Sequence, residues 1–477
     1  MVKGIGPREV VAIAAARSAG QATRLLRRGG GTALPGLVAE RIAPRILRRM
    51  TRQLRRGAIL VTGTNGKTTT SRMLGAILDT AGWRAIHNRS GSNLVRGLIA
   101  TLVQQSSLTG NLHADSGLFE VDEATIPAVV AQVRPRLLLI HNLFRDQLDR
   151  YGEIDHIQRR WRETLATLDA RSTVLLNADD PGVAVLGRQT EARVCYYGMA
   201  DTRQALAVLP HAADAIDCPL CGHRLDYHAI LLSHLGHYSC PECGFARPRL
   251  DIVAERVDLR GTESTRLAIR APAGAFSVDL ALPGFYNAYN GLAACAAALI
   301  LGLPPDVIQR GLGGFRAAFG RIERVPAGDS GKALLLALVK NPVGCNEVLR
   351  MLFPPLTAGE PQPPPRYMLI IINDLIADGR DVSWLWDVDF EVLGAPDRVA
   401  QATCAGLRAT DMANRLKYAG LDPARIAVVE DLEAALEATL QQLPAGETLY
   451  VLPTYTAMLD FRALLQRRGW VSEFWEQ

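Results

Sequence analysis

The run Thr62-Gly63-Thr64-Asn65-Gly66-Lys67-Thr68-Thr69-Thr70 constrains this chain more than any other stretch. It follows the short apolar run Ala58-Ile-Leu-Val61 and precedes Ser71-Arg-Met-Leu-Gly-Ala-Ile-Leu-Asp79, whose apolar residues fall at helical spacing. A strand, a glycine-rich loop and a helix in that order make a phosphate cradle, because backbone N–H groups and the helix N-terminus converge on one anion. Gly66 permits close backbone approach, Lys67 offers a point charge to the β- and γ-phosphates, and the Thr68 hydroxyl suits Mg²⁺. The general phosphate-loop pattern has Gly six residues before the Lys. Here Val61 stands in that place, and Gly63 lies three residues before Gly66. A bare Gly-Lys-Thr is weak, and an incidental Gly-rich turn is the bland alternative. The whole run between strand and helix predicts ATP bound by Gly63, Thr64, Asn65, Gly66, Lys67, Thr68 and Thr69.

A chain of 477 residues exceeds one ordinary core, so two or three domains are expected. Gly117-Leu-Phe-Glu-Val121, Leu137-Leu-Leu-Ile140 and Thr173-Val-Leu-Leu176 read as further buried strands separated by helical stretches such as 157–168. That alternation implies a mainly parallel sheet covered on both faces. The pattern breaks at 211–250, where His, Cys and Gly crowd together. It resumes with a strand-rich piece at 251–282 and an Ala-rich helix from Asn287 to Leu301. After a boundary at 316–331, a second alternating region contains 367–372, 426–429 and 448–452. The domain plan is a basic segment 1–57, a central ATP-binding domain 58–325 with an insertion at 211–250, and a Rossmann-like C-terminal α/β domain 326–477.

No stretch approaches 18 uninterrupted apolar residues and no signal-peptide pattern opens the chain, so the expected compartment is the cytoplasm. Residues 1–57 carry 13 Arg or Lys against only Glu9 and Glu40. Basic and apolar residues alternate in Arg24-Leu-Leu-Arg27-Arg28 and in Arg48 to Arg56. Two readings stand side by side: a segment lying on an anionic membrane surface, or a solvated helix face packed on its own domain.

Cys218-Pro-Leu-Cys221 and Cys240-Pro-Glu-Cys243 are separated by 18 residues, with Gly222 and Gly244 behind each pair. Two such knuckles place four thiolates around one tetrahedral ion, so a structural Zn²⁺ on Cys218, Cys221, Cys240 and Cys243 is expected, with a redox pair as the competitor. The insertion shows no basic–aromatic pattern, and no nucleic-acid partner is expected.

The loop Gly63 to Thr69 resembles that of the Mur ligase superfamily, which phosphorylates a carboxylate with ATP and lets an amine attack the acyl phosphate. Downstream segments match in order. Glu120-Val-Asp122-Glu123 falls on the family's magnesium-binding glutamate, with Glu120 the better match. Asn142-Leu-Phe-Arg-Asp146-Gln147-Leu-Asp149 falls on a segment that usually has a metal-binding His where Gln147 stands. Asn177-Ala-Asp179-Asp180 matches a nucleotide-side segment, and Tyr286-Asn287-Ala-Tyr-Asn290 matches an adenine-contacting helix start with Tyr286 in place of His. Phe319-Gly320-Arg321-Ile-Glu323 matches the hinge whose arginine approaches ATP. The resemblance thus implies Mg²⁺ on Thr68 and Glu120, and ATP contacts from Asn177, Asn287, Asn290 and Arg321. Taken alone, Asn287 is a helix cap and Asn177 an ordinary turn residue.

The C-terminal region sharpens the resemblance. Lys340-Asn341-Pro342 opens it, and Asn373 to Glu391 holds five aspartates with Trp384 and Trp386. With the cysteine insertion, the Gly29-Gly30-Gly31 segment, Arg145 to Gly152 and Pro453 to Met458, the chain looks like the MurT branch of the superfamily. Members of that branch are ligase subunits that amidate the D-glutamate of lipid II to D-isoglutamine. The resemblance implies a GatD-like glutaminase partner, lipid II as substrate, catalytic roles for Lys67 and Glu120, and Asp381 as the acid completing the partner's triad. The alternative for Asp381 is a cap on the following turn. The rival functions are a stand-alone amino-acid ligase resembling folylpolyglutamate synthase, and a phosphate-loop zinc-ribbon protein that binds nucleic acid.

Overall fold

The computed structural model describes residues 5–25, 33–88, 92–145, 154–315, 321–354 and 363–471; the side chains of residues 24, 25, 33 and 321 are outside that description. The Gly29–Gly31 segment, Asp146, Gln147, Asp149, Phe319 and Gly320 therefore lie outside the described residues, as does the side chain of Arg321.

Nine strands form the central sheet. They are β1 (Ala58–Thr62), β2 (Ala85–His87), β3 (Ser116–Glu120), β4 (Pro135–Ile140), β5 (Thr173–Asn177), β6 (Arg193–Met199), β9 (Ile252–Arg260), β10 (Ser264–Ala271) and β11 (Gly274–Leu280). Their order is β11-β10-β9-β6-β5-β4-β1-β3-β2. Pairing is parallel from β2 through β9 and antiparallel along β9-β10-β11. The inner parallel strands β1, β3, β4 and β5 are almost wholly buried because both faces are covered, whereas β10 alternates buried and exposed residues. Ile59, Val61, Leu137 and Leu139 join one core with Met73, Leu74, Ile77 and the helix Phe285–Ile300. Leu60, Leu138 and Ile140 join the other with Ile13, Ile46, Leu47, Met50 and Trp161.

The described part of the N-terminal segment thus folds onto the ATP-binding domain. Ile46, Leu47 and Met50 are buried while Arg41, Arg45, Arg48, Arg52 and Arg55 are exposed. The alternation of basic and apolar residues is that of a helix face packed on its own domain, with the charges outward. Among the described residues no helix is long and apolar enough to cross a membrane.

The C-terminal sheet has β12 (Arg321–Pro326), β13 (Ala333–Ala337), β14 (Arg366–Ile371), β15 (Val399–Ala405), β16 (Ile426–Val428) and β17 (Thr448–Pro453), in the order β12-β13-β17-β14-β15-β16. All pairs are parallel except the β12–β13 edge. Its two faces have separate cores, with Met368 and Ile370 on one side and Leu369 and Ile371 on the other. The chain enters this sheet through a register shift at Ile322, whose φ of +61° is unusual for a β-branched residue. The insertion carries a separate antiparallel hairpin, β7 (Asp226–Leu232) and β8 (Leu235–Ser239).

Candidate active site

In a parallel sheet every strand delivers its loop to the same edge, and β1 lies between β3 and β4. The loop after β1 is therefore flanked by the residues after Glu120 on one side and those after Ile140 on the other. All three run into one site at the carboxyl ends of the strands.

The phosphate loop is held by groups that composition does not announce. Asn142 Oδ1 accepts the Asn65 N–H at 2.8 Å, and its Nδ2 donates to Asn65 O at 3.1 Å. Thr64 Oγ1 donates to Phe144 O at 3.1 Å and accepts from Phe144 N at 2.9 Å. Gly66 has φ +83°, and a Cβ there would sit 2.0 Å from Asn290 Oδ1. Only glycine fits at that approach.

Beneath Gly66 lies His141, buried to 1% exposure. Its Nε2 is 2.9 Å from Asn290 Oδ1, and its Nδ1 meets the Tyr197 hydroxyl. An amide oxygen only accepts, so Nε2 carries the proton and Tyr197 donates to Nδ1. Burial holds the imidazole down at about 4, with Lys67 also lowering it, while the Asn290 bond and Asp180 act against them. The ring is therefore neutral at physiological pH. The same chain of amides continues from Asn290 Nδ2 to Asn287 Oδ1 at 3.1 Å and from Asn287 Nδ2 to Pro283 O at 2.7 Å. Asn287 and Asn290 thus sit behind the loop, at 3% and 2% exposure. Tyr286 packs between the cores of the two domains.

Lys67 heads the helix Lys67–Thr80, and its ammonium pairs with Glu123 Oε1 at 2.9 Å and donates to Thr64 O at 3.3 Å. Glu120, at the end of β3, is framed by Asn88, which accepts its N–H at 2.9 Å and donates to its carbonyl at 2.8 Å. Trp161 Nε1 donates to Glu123 O at 2.9 Å and fixes the following turn. Glu120, Asp122 and Glu123 are all buried, whereas Asn65, Gly66, Lys67 and Thr68 are half-exposed. Partly open cation and hydroxyl groups beside buried carboxylates suit a magnesium–phosphate ligand.

Asn177 Oδ1 accepts from Asp179 N at 3.1 Å, the Asx turn expected of this segment. Its Nδ2 is buried with no hydrogen-bond partner among the described residues. Asp179 accepts from Met199 N at 2.8 Å and from Tyr289 OH at 2.8 Å, and pairs with Arg247 at 2.6 Å. Asp180 accepts from Leu143 N at 2.8 Å.

The second domain closes on the loop. Asn341 caps the helix Pro342–Leu352 by accepting Gly344 N at 2.8 Å, and its amide meets Asn65. Asp381 is exposed, and its Oδ1 accepts Ser383 N at 2.8 Å. The Ser383 side-chain hydrogen bond, and after it this backbone one, hold its carboxyl below the usual range. Asp378 instead is buried and spent on Thr456, accepting its N–H at 2.7 Å. The geometry contains the turn cap and still leaves Asp381 facing solvent.

The sulfurs of Cys218, Cys221, Cys240 and Cys243 all lie within 4.8 Å of one another, with 3.6 Å between Cys218 and Cys243 and 3.5 Å between Cys221 and Cys240. Zinc–sulfur bonds of about 2.3 Å in a tetrahedron put sulfurs about 3.8 Å apart, so the donor set fits. The other four cysteines are buried.

His141, Asn88, the bracing contacts of Asn142 and the ion pairing of Lys67 with Glu123 escape a reading of motifs. His141 and Asn142 have a positional signal, as polar residues directly after β4, which pairs with the phosphate-loop strand β1.

Two family profiles match the chain: "Mur ligase middle domain" over residues 61–217 and "MurT ligase C-terminal" over residues 338–458. The lipid II isoglutaminyl synthase (glutamine-hydrolyzing) subunit MurT of Streptococcus pneumoniae is 35% identical over 93% of this chain and 94% of that protein. Its Staphylococcus aureus counterpart is 32% identical over 96% and 98%. Among solved structures, a pseudomurein peptide ligase type C from Methanothermus fervidus superposes with a TM-score of 0.63 at 22% identity, covering 87% of this chain and 79% of that one. MurF from Acinetobacter baumannii also reaches 0.63, at 18% identity over 90% and 80%. These two likenesses establish the Mur ligase fold.

Proposed function

This chain belongs to the MurT family, and on that premise we propose that it is the ATP-dependent ligase subunit of a lipid II isoglutaminyl synthase. The observation that carries the chemistry is the phosphate loop, held between the carboxylate-bearing turn after β3 and Asn341 of the C-terminal domain. Both halves of a phosphoryl-transfer site face that cleft.

The triphosphate lies along the backbone N–H groups of Gly63 to Thr69, and Lys67 leaves Glu123 for the β- and γ-phosphates. Thr68 and Glu120 would hold Mg²⁺, which would supply charge neutralisation at the phosphates. The α-carboxylate of the D-glutamate attacks the γ-phosphorus and ADP departs, giving an acyl phosphate. Lys67 and Arg321 stabilise the charge that develops. Ammonia attacks the acyl carbon, phosphate leaves and one proton is lost, which yields the amide. Asn177, Asn287 and Asn290 stand on the nucleotide side, the latter two supporting the loop from behind.

The finer assignments are part of the same reading. The insertion at 211–250 is a zinc ribbon holding Zn²⁺ structurally, since four thiolates leave no open position. The domains divide at 58–325 and 326–477, and the C-terminal one is Rossmann-like, as its parallel order suggests. The partner is a GatD-like glutaminase that receives Asp381 into its Cys–His pair. The exposed arginines of residues 41–55 favour a peripheral place at the inner face of the membrane, where lipid-linked substrates lie.

Asp381→Asn tests the shared triad. Assayed with the partner subunit, the variant should lose glutamine-dependent amidation and keep amidation driven by ammonium salts. Equal loss with both nitrogen sources contradicts a role confined to the glutaminase.

A further inference from the structure

The four-cysteine cluster occupies one end of the β7–β8 hairpin. The opposite end, the Ser233-His234 turn, reaches into the nucleotide site. Ser233 has φ +50° and donates through Oγ to Ala212 O at 2.8 Å. His234 is fully buried, and its Nδ1 accepts from Asp214 N at 3.3 Å, so the ring proton is on Nε2. That nitrogen has no hydrogen-bond partner among the described residues and lies 3.5 Å from Asp180 Oδ2. The ring packs on Phe144 with centroids 4.8 Å apart.

These contacts converge on the brace of the phosphate loop. Asp180 Oδ2 takes Leu143 N at 2.8 Å, Asp214 Oδ2 takes Arg145 N at 2.8 Å, and Phe144 exchanges bonds with Thr64. The hairpin also grips the other nucleotide-side segment: Gly236 N donates to Asp179 O at 2.8 Å and Tyr238 OH to Ala178 O at 3.0 Å. Near the tip, Arg350 of the C-terminal domain donates to Leu231 O at 2.8 Å, and His211, ahead of the hairpin, meets Asp389 at 3.1 Å. A staple for a surface loop has no need of polar contacts with two site segments and a second domain.

We propose that the hairpin tip is a positioning element of the nucleotide site, with His234 as the positioning residue that keeps Leu143–Arg145 and Asp180 in register against the phosphate loop. This rests on the ATP-ligase reading. Through it, order in the cysteine cluster is passed to the loop that holds ATP.

The test uses the full chain, wild type, His234→Ala and His234→Gln, with Mg·ATP binding measured directly by calorimetry alongside zinc content and thermal unfolding. His234→Ala should weaken Mg·ATP binding about tenfold with zinc content unchanged, and Gln, which restores a donor toward Asp180, should recover part of it. Unchanged affinity in a folded, zinc-loaded His234→Ala chain overturns the proposal. Should that variant fail to fold, hydrogen exchange of the wild type before and after zinc removal by a chelator decides. Faster exchange at 141–145 and 177–181 supports the coupling, and exchange confined to 216–246 overturns it. If wild type binds no Mg·ATP at all, the ATP-ligase reading itself fails, which is a different result.

Discussion

Asn65 of the phosphate loop and Asn341 at the head of the helix Pro342–Leu352 exchange side-chain hydrogen bonds across the domain cleft. Asn341 Nδ2 donates to Asn65 Oδ1 at 2.9 Å, and Asn65 Nδ2 donates back to Asn341 Oδ1 at 3.4 Å. The same Asn341 oxygen caps its helix. Closure of the C-terminal domain and the shape of the ATP loop are thereby one geometric condition.

Asn341→Ala should lower stability by about 1 kcal/mol through the lost cap and raise the KM for ATP. Asn65→Ala should raise the KM with a smaller effect on thermal unfolding. In the double variant the two KM effects should fall short of additive, which a double-mutant cycle measures.

Lys67→Met removes the cation from the developing phosphoryl charge, and kcat should fall by about 10²–10³. The two neighbouring glutamates separate by their magnesium response. Glu120→Gln should raise the Mg²⁺ concentration needed for half-maximal rate. Glu123→Gln should leave that concentration unchanged, because Glu123 is the resting partner of Lys67. A magnesium titration of both variants distinguishes them.

His141 makes stability depend on pH. Its imidazole is held at about 4, below the ordinary 6.5, chiefly by burial. Between those values the unfolded chain binds a proton that the fold does not. The contribution is whole above about pH 6.5 and drains as pH falls toward 4, by up to about 3 kcal/mol. Urea unfolding from pH 4.5 to 7 should show a shallower pH dependence for His141→Gln than for wild type.

The purified chain should carry an equimolar amount of zinc, and Cys221→Ser should lose it. Metal analysis with thermal unfolding checks this; a wild type free of zinc contradicts a structural ion.

Much of this was legible in the sequence. The loop at 62–70 and the apolar runs of β1, β3, β4, β5 and β14 gave the element types and the parallel sheet, because buried strands need continuous apolar residues. The paired Cys-x-x-Cys spacing located the four sulfurs that the fold gathers. The roles of Asn142 and His141 were not legible. Each acts through a partner 77 or 149 positions away: the pairing of β4 with β1 brings Asn142 to Asn65, and the helix Phe285–Ile300 packed on that sheet brings Asn290 to His141. Asn290 has a second neighbour that the motif does not announce: its amide oxygen meets His141 beneath Gly66. The fate of the basic N-terminal segment was equally closed to sequence, since its charges suit water as well as lipid.

ATP-driven amidation of a carboxylate on lipid II can be observed directly. The most direct measurement incubates the purified chain with Mg·ATP, lipid II and ammonium chloride, and follows D-isoglutamine by mass spectrometry alongside ADP release. Amide and ADP should form in equal amounts, and Lys67→Met should slow both by about 10²–10³. Absence of amide from a folded wild-type chain that binds Mg·ATP would contradict the account.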